Sequence, residues 1–179
     1  MRFALATLLI WTSWLAPSAL AHPTEGEAQR LVGGWRCDED VSEPDLTGQI
    51  QWQVSYRSEG SFDLRGTTRF RRENWPYDLV HSINLEGKWS IRDGHLLQQA
   101  NSIDITNVTQ PEGMDEEDTE TLREAINQEV KIEDLKETFR KPDNSLILAI
   151  TPTLLATLNK DGTDVLECRR EQLAEPQAR

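Results

Sequence analysis

Alternating apolar and polar residues form the most regular pattern in this chain, and the longest alternation runs from Leu79 to Arg92. One set of positions carries the side chains that we expect to be buried: Leu79, His81, Ile83, Leu85, Gly87, Trp89 and Ile91. The positions between them are mostly polar. Because successive side chains of a strand point to opposite faces, this pattern predicts a long strand with one buried face.

Shorter alternations flank this segment on both sides. Residues 49–56 and 62–72 precede it, and residues 95–108 follow it after Asp93 and Gly94, a strong hairpin signal. Consecutive strands joined by tight turns argue against βαβ units and favour an antiparallel meander.

Segment 112–137 differs, because it is rich in acidic residues and its apolar residues recur at helical spacing. We predict a helical insertion over about residues 112–131, with an acidic face in solvent and an apolar stripe on the sheet. Four strand-like runs follow it: residues 132–141, 145–150, 153–160 and 163–170. Together with an earlier run at residues 31–37, the runs total nine, or eight if Pro152 only kinks one long strand.

These elements predict an all-β fold with one inserted helix. Closing the antiparallel meander into an eight- or nine-stranded barrel removes the exposed edges of the sheet. An even strand number keeps the first and last strands antiparallel, whereas nine strands make them parallel. The sequence leaves the strand number open.

The first 21 residues combine a short basic start, an apolar run and a small-residue cleavage site. This arrangement predicts a secretory signal cleaved after Ala21, and therefore a periplasmic or secreted mature protein without a membrane span. We divide the remainder into a polar lead-in (22–30), a barrel domain (31–171) and a disordered tail (172–179).

Charge and cysteine content narrow the choice of partners and compartment. The formal net charge of −12 repels phosphate backbones, which argues against nucleic-acid binding. In an exported protein the two cysteines, Cys37 and Cys168, favour a disulfide over a metal site. Closing so long a loop stabilises the fold by about 4–5 kcal/mol in the chain-entropy model.

The two cysteine-bearing runs also suggest a register. If these runs pair antiparallel with the cysteines opposite, Trp35 lies across from Arg170, because each is two residues from its cysteine. Gly33 and Trp35 form a Gly-x-Trp motif near the first strand. A Trp at this place, covered by an Arg from the last strand, resembles the signature of lipocalin-like (calycin) proteins. The resemblance implies a small exported bacterial β-barrel, a fold that small exported bacterial protease inhibitors also use.

The inward faces of the predicted strands supply candidate ligand-binding residues. These are Trp52, Tyr56, Phe62, His81, Trp89, Gln99 and Asn101. Here Gln99 and Asn101 are placed on the inward face that Leu97 and Ile103 share. An apolar cavity with a few polar groups suits a small hydrophobic ligand. A barrel filled by its own side chains shows the same pattern, so hollow and packed interiors both stay open.

Two surface features suit a protein partner instead. Trp75 and Tyr77, on either side of Pro76, offer rigid aromatic side chains of the kind enriched at interface hot spots. Their alternative role is to plug the mouth of the barrel. The second feature is a basic island that comprises Arg65, Arg69, Arg71 and Arg72. The alternative role of these arginines is to pair with the acidic helix.

Sequence motifs of catalysis give no positive signal. We find no serine-hydrolase elbow, zinc-binding helical motif or phosphate-binding loop. We therefore predict no catalytic residue, no metal and no cofactor. The expected function is a non-catalytic binding module that holds a small apolar ligand in the barrel. The alternative is a module that binds or inhibits an envelope or extracellular protein through the loop around Pro76.

Overall fold

A computed structural model describes residues 25–73 and 75–171. Within these residues, eight strands form a closed antiparallel barrel in which each strand pairs with the next one along the chain. The first and last strands also pair, which confirms the meander and its closure. The predicted signal (1–21) and tail (172–179) lie outside the described residues and stay predictions.

The element bounds follow the predicted runs closely. The strands are β1 (Gly33–Glu43), β2 (Leu46–Tyr56), β3 (Ser61–Arg72), β4 (Leu79–Arg92), β5 (His95–Asn107), β6 (Asp143–Ile150), β7 (Leu154–Leu158) and β8 (Val165–Arg170). The helices of the described residues are α1 (Glu25–Leu31), α2 (Glu116–Val130) and α3 (Ile132–Arg140). Each of these helices is too short or too polar to cross a membrane.

The alternation in β4 is confirmed by burial. Every second residue from Leu79 to Trp89 is buried, and the residues between them are more exposed. Ile83, near the middle of this face, lies opposite Gly66 of β3 on one side and Ile105 of β5 on the other. The buried face of β4 therefore lines the barrel interior.

Strand β5 departs from the prediction because of a β-bulge. The register between β4 and β5 shifts at Asn101, which has no partner on β4. An extra residue reverses the period-two alternation, so Leu96 is buried before the bulge and Ile103 packs on the core after it. The predicted inward placement of Leu97, Gln99 and Asn101 is therefore wrong, and the last two side chains are exposed.

The closure of the barrel follows the register inferred from the cysteines. Cys37 and Cys168 are directly opposite and form a disulfide. Trp35 lies opposite Arg170, and the guanidinium carbon of Arg170 lies 4.1 Å from the centre of the indole. Both predictions are confirmed. The disulfide indicates an oxidising, non-cytoplasmic compartment.

Helix α1 packs at the end of the barrel where β1 begins, and the prediction of a polar lead-in over residues 22–30 missed it. The last carbonyls of a helix have no partner within the helix. Here the Trp35 indole N–H donates to the Leu31 carbonyl at 2.7 Å, and Arg170 donates to the Val32 carbonyl at 2.9 Å. The positive charge of Arg170 also lies at the C-terminal end of α1, where the helix dipole favours a cation.

Helix α2 lies within the predicted insertion. Asp115 caps its N-terminus, because a carboxylate oxygen accepts the N–H of Asp118 at 2.9 Å. At the base of the helix, Asn107 of β5 donates to the side chain of Asn127 at 3.1 Å and accepts the N–H of Thr109 at 2.9 Å. These bonds fix α2 to the end of β5.

Helix α3 replaces a predicted strand. Residues 132–141 are expected to be extended, but Ile132, Leu135 and Phe139 recur at intervals of three and four, which places them on one helical face. This apolar face packs against the core, and it makes the helix the stable state. The strand number is eight because of this helix. Pro152 separates β6 from β7 and does not kink a single long strand.

Helix α3 also completes the barrel wall. Strand β5 pairs with β6 only over His95–Gln98, and β1 pairs with β8 only over Trp35–Cys37. Helix α3 packs against β5. Towards the β1–β2 turn (residues 44–45) and the β3–β4 loop (residues 75–78), β5 no longer pairs with β6 and β1 no longer pairs with β8. In that part of the barrel the wall therefore consists of the long strands and α3. We call this end of the barrel the mouth.

The opposite end of the barrel holds the packed core. Its buried aromatic side chains include Trp35, Tyr56, Phe62 and Trp89. The Tyr56 and Trp89 rings meet edge to face with centroids 5.6 Å apart, a favoured arrangement. The Trp89 indole donates to the Arg57 carbonyl at 3.1 Å. The barrel is thus packed at one end, and its mouth half is where space for a ligand remains.

Candidate ligand-binding site

A cavity of about 610 Å³ occupies the mouth half of the barrel. Its wall is mainly apolar, with contributions from Ile50 of β2, Leu79 and Ile83 of β4, and Leu135 and Phe139 of α3. Ligand pockets that bury most of a small molecule measure roughly 300–1,000 Å³ and are lined mainly by apolar side chains. We call this cavity the larger chamber.

Few polar groups interrupt the apolar wall. Ile50, Thr68 and His81 are cross-strand neighbours on β2, β3 and β4, and all three border the larger chamber. Thr68 and His81 are only 6% and 4% exposed, respectively. A hydroxyl and an imidazole therefore lie side by side within apolar surroundings, where they can orient a ligand.

The imidazole of His81 is neutral and incompletely hydrogen-bonded. Burial lowers the pKa of His81, because desolvation disfavours the charged form. The Nε2 atom of His81 has no hydrogen-bond partner among the described residues. Leaving a buried polar atom unpaired costs about 1–3 kcal/mol.

A smaller chamber of about 290 Å³ lies on the side of the packed core. Phe62, Leu85 and Ala100 contribute to its apolar wall, and Lys141 and Asp143 also border it. Phe139 of α3 borders both chambers. The interior of the barrel is thus neither fully hollow nor fully packed.

The aromatic side chains of the β3–β4 loop pack at the mouth. The rings of Trp75 and Tyr77 are stacked, with centroids 5.7 Å apart and an interplanar angle of 22°. The Arg72 guanidinium lies 5.0 Å from the centre of the Trp75 ring, and Trp75 and Arg72 both border the larger chamber. Trp75 and Tyr77 are half-buried, and their protein-binding role stays a prediction.

Among the described side chains, the ion pairs of the basic island are made with the β3–β4 loop. Arg69 and Arg71 form ion pairs with Asp78, at 3.1 and 2.6 Å. The acidic residues Glu116 and Glu120 of α2 pair with Arg123 of the same helix. The two arginines are largely exposed, and exposed pairs contribute little to stability, so these pairs chiefly position the loop.

The predicted ligand-binding residues divide into groups by position. Trp52 and His81 border the larger chamber, and Phe62 borders the smaller one. Tyr56 and Trp89 belong to the packed core, where burial raises the pKa of the Tyr56 phenol. The exposed positions of Gln99 and Asn101, beside the bulge, exclude them from the interior.

The sequence analysis does not predict two of the wall residues, because it expects a strand over residues 132–141. Leu135 and Phe139 reach the larger chamber from α3, and the Phe139 ring packs edge to face against Trp52 with centroids 6.5 Å apart. The spacing of three and four residues between Ile132, Leu135 and Phe139 is the sequence signal for this helical face.

The side chains at the larger chamber are mainly apolar. Within residues 25–73 and 75–171, no group of three or more His, Cys, Asp and Glu side chains is placed to hold a metal ion. The polar side chains at the larger chamber are Thr68, His81 and Arg72. Neither the protein-family models nor the curated proteins compared with this chain match it.

Proposed function

We propose that this chain is an exported, lipocalin-like protein that binds a small apolar ligand in the larger chamber and does not transform it. The observation that carries this proposal is the cavity of about 610 Å³ with an apolar wall and few polar groups. The disulfide supports export, since such bonds persist in oxidising compartments.

The physical basis is the transfer of apolar ligand surface out of water. Each square ångström of apolar surface buried contributes about 25 cal/mol, and a preformed cavity reduces the ordering cost of binding. Burial lowers the pKa of His81, which disfavours a buried charge in the wall of the chamber. The proposed ligand is therefore mainly apolar.

A displaceable fluorescent dye tests this proposal with a matched pair of variants. Ile50 borders the larger chamber, whereas the next residue in β2, Gln51, borders a polar cleft on the outer surface of the barrel. Ile50→Trp should place an indole ring inside the chamber and narrow it, and Gln51→Trp should add the same ring outside it, because neighbouring strand residues face opposite sides.

We expect the native protein and Gln51→Trp to bind an apolar naphthylamine dye equally well, and Ile50→Trp to bind it at least about tenfold more weakly, since the added ring occupies space that the dye needs. Native mass spectrometry of protein purified without detergent should show lipid-sized adducts on the native chain and not on Ile50→Trp. Absence of dye binding to the native protein, or equal binding by Ile50→Trp, would refute the proposal.

A further inference from the structure

The two chambers follow one another along the barrel. On β3, Thr68 and Phe70 border the larger chamber, whereas Leu64, nearer the packed core, borders the smaller one. On β4, Ile83 borders the larger chamber and Leu85 the smaller one. Since strands run along the barrel, the smaller chamber lies on the packed-core side of the larger chamber, and exposed residues form its outer border: Thr138, Lys141 and Asp143.

Phe139 lies at the boundary between the two chambers. It is the α3 residue that borders both, while Leu135 borders only the larger chamber and Thr138 only the smaller one. Its ring packs against Trp52, and the paired positions of Trp52, Gly66 and Ile83 form one cross-strand row. Glycine in that row leaves room for the Trp52 ring, because a Cβ at Gly66 would lie 2.7 Å from Trp52 Cε3.

We propose that Phe139 determines the length of the ligand by closing the deep end of the larger chamber. The inference rests on the proposed function and adds the ligand class, which is an elongated, unbranched chain that enters from the mouth. Removing the Phe139 ring would join the two chambers, and an unbranched chain is the ligand shape that gains contacts from a longer site. With Phe139 in place, the ligand chain ends at the Phe139 ring. Without this ring, the ligand chain continues into the smaller chamber.

Straight-chain carboxylates that displace the dye test this inference. Each additional buried methylene raises affinity about fourfold, so a deeper site favours longer chains. We expect Phe139→Ala to raise the ratio of hexadecanoate to decanoate affinity at least about tenfold over the native ratio. Phe139→Leu should shift the ratio in the same direction by less, and it preserves the apolar face of α3 if the alanine variant does not fold.

Two further variants separate a longer site from a loosened helix. Leu135→Ala removes a similar apolar contact from α3 but opens only the larger chamber, so its ratio should stay within about twofold of the native ratio. Ala100 borders only the smaller chamber, so Ala100→Leu combined with Phe139→Ala should restore the native ratio. This reversal is expected only if the ligand chain enters the smaller chamber.

The outcomes that overturn the inference differ from those that overturn the proposed function. If the native protein and Phe139→Ala both bind the dye but show the same chain-length ratio, Phe139 does not set the length. An equal shift in Leu135→Ala also contradicts the inference, because it assigns the change to a loosened α3. Failure of the native protein to bind the dye refutes the proposed function, and the inference falls with it.

Discussion

Replacing Arg170 by Lys tests the contacts that join the two ends of the described chain. The Arg170 guanidinium stacks on Trp35 and donates to the carbonyls of Val32 at 2.9 Å, Pro152 at 2.8 Å and Arg30. A lysine ammonium keeps the charge, but it loses the planar stack and cannot reach all three carbonyls. The cation–π contact contributes about 0.5–2 kcal/mol, and each lost hydrogen bond about 1 kcal/mol.

We therefore expect Arg170→Lys to lower the free energy of unfolding by about 2–3 kcal/mol. For a domain of this size that loss corresponds to a fall in Tm of about 4–12 °C. Thermal unfolding of the oxidised protein, followed by near-ultraviolet circular dichroism, measures it. Arg169 is exposed on the opposite face of β8, so Arg169→Lys should change stability by less than about 0.5 kcal/mol. Equal falls in Tm for both variants would refute the reasoning.

Three other predictions concern the interior and a helix end. Because burial lowers the pKa of His81, its imidazole is protonated in the unfolded chain before it is protonated in the folded chain as pH falls. The free energy of unfolding therefore decreases below about pH 6.5. His81→Gln should reduce the loss of unfolding free energy between about pH 7.5 and 5.5, whereas an unchanged pH slope would contradict this. Gly87→Ala should destabilise by about 1–3 kcal/mol in urea unfolding, because its Cβ would lie 2.1 Å from the Gln99 carbonyl oxygen; an unchanged midpoint would show that the strands move apart freely. Asp115→Ala should cost about 0.5–2 kcal/mol and speed amide exchange in the first turn of α2, and Asp115→Asn should restore both.

The parts of the fold that follow from sequence are those with a strong period or a geometric constraint. The alternation of β4 specifies its buried face, and His81 is placed correctly on that face. The pairing of Cys37 with Cys168 specifies the register that brings Trp35 to Arg170. In each case a local pattern excludes the other possible faces or registers, and the rest of the chain is not needed for the prediction.

The bulge in β5 lacks such a pattern, and the apolar spacing of α3 is too short to exclude a strand. The bulge lies in a weakly apolar stretch around Asn101, so the change of phase leaves no sequence signal. Residues 132–141 form a segment short enough to suit a strand or a helix, and contacts with the rest of the barrel decide between them. Because Phe139 lies on this segment, the boundary between the chambers also escapes prediction.

The pairing of β1 with β8 sets the order in which the barrel can fold. The disulfide joins cysteines 131 residues apart, so the contact that closes the barrel is among the most distant in the chain. Contacts of such long range form slowly, because a large loop must close before they are made. Until β8 arrives, the edge of β1 stays open to other chains and Cys37 remains a free thiol. The open edge of β1 and the thiol of Cys37 are therefore exposed during the same stage of folding, between the formation of β1 and the pairing of β8.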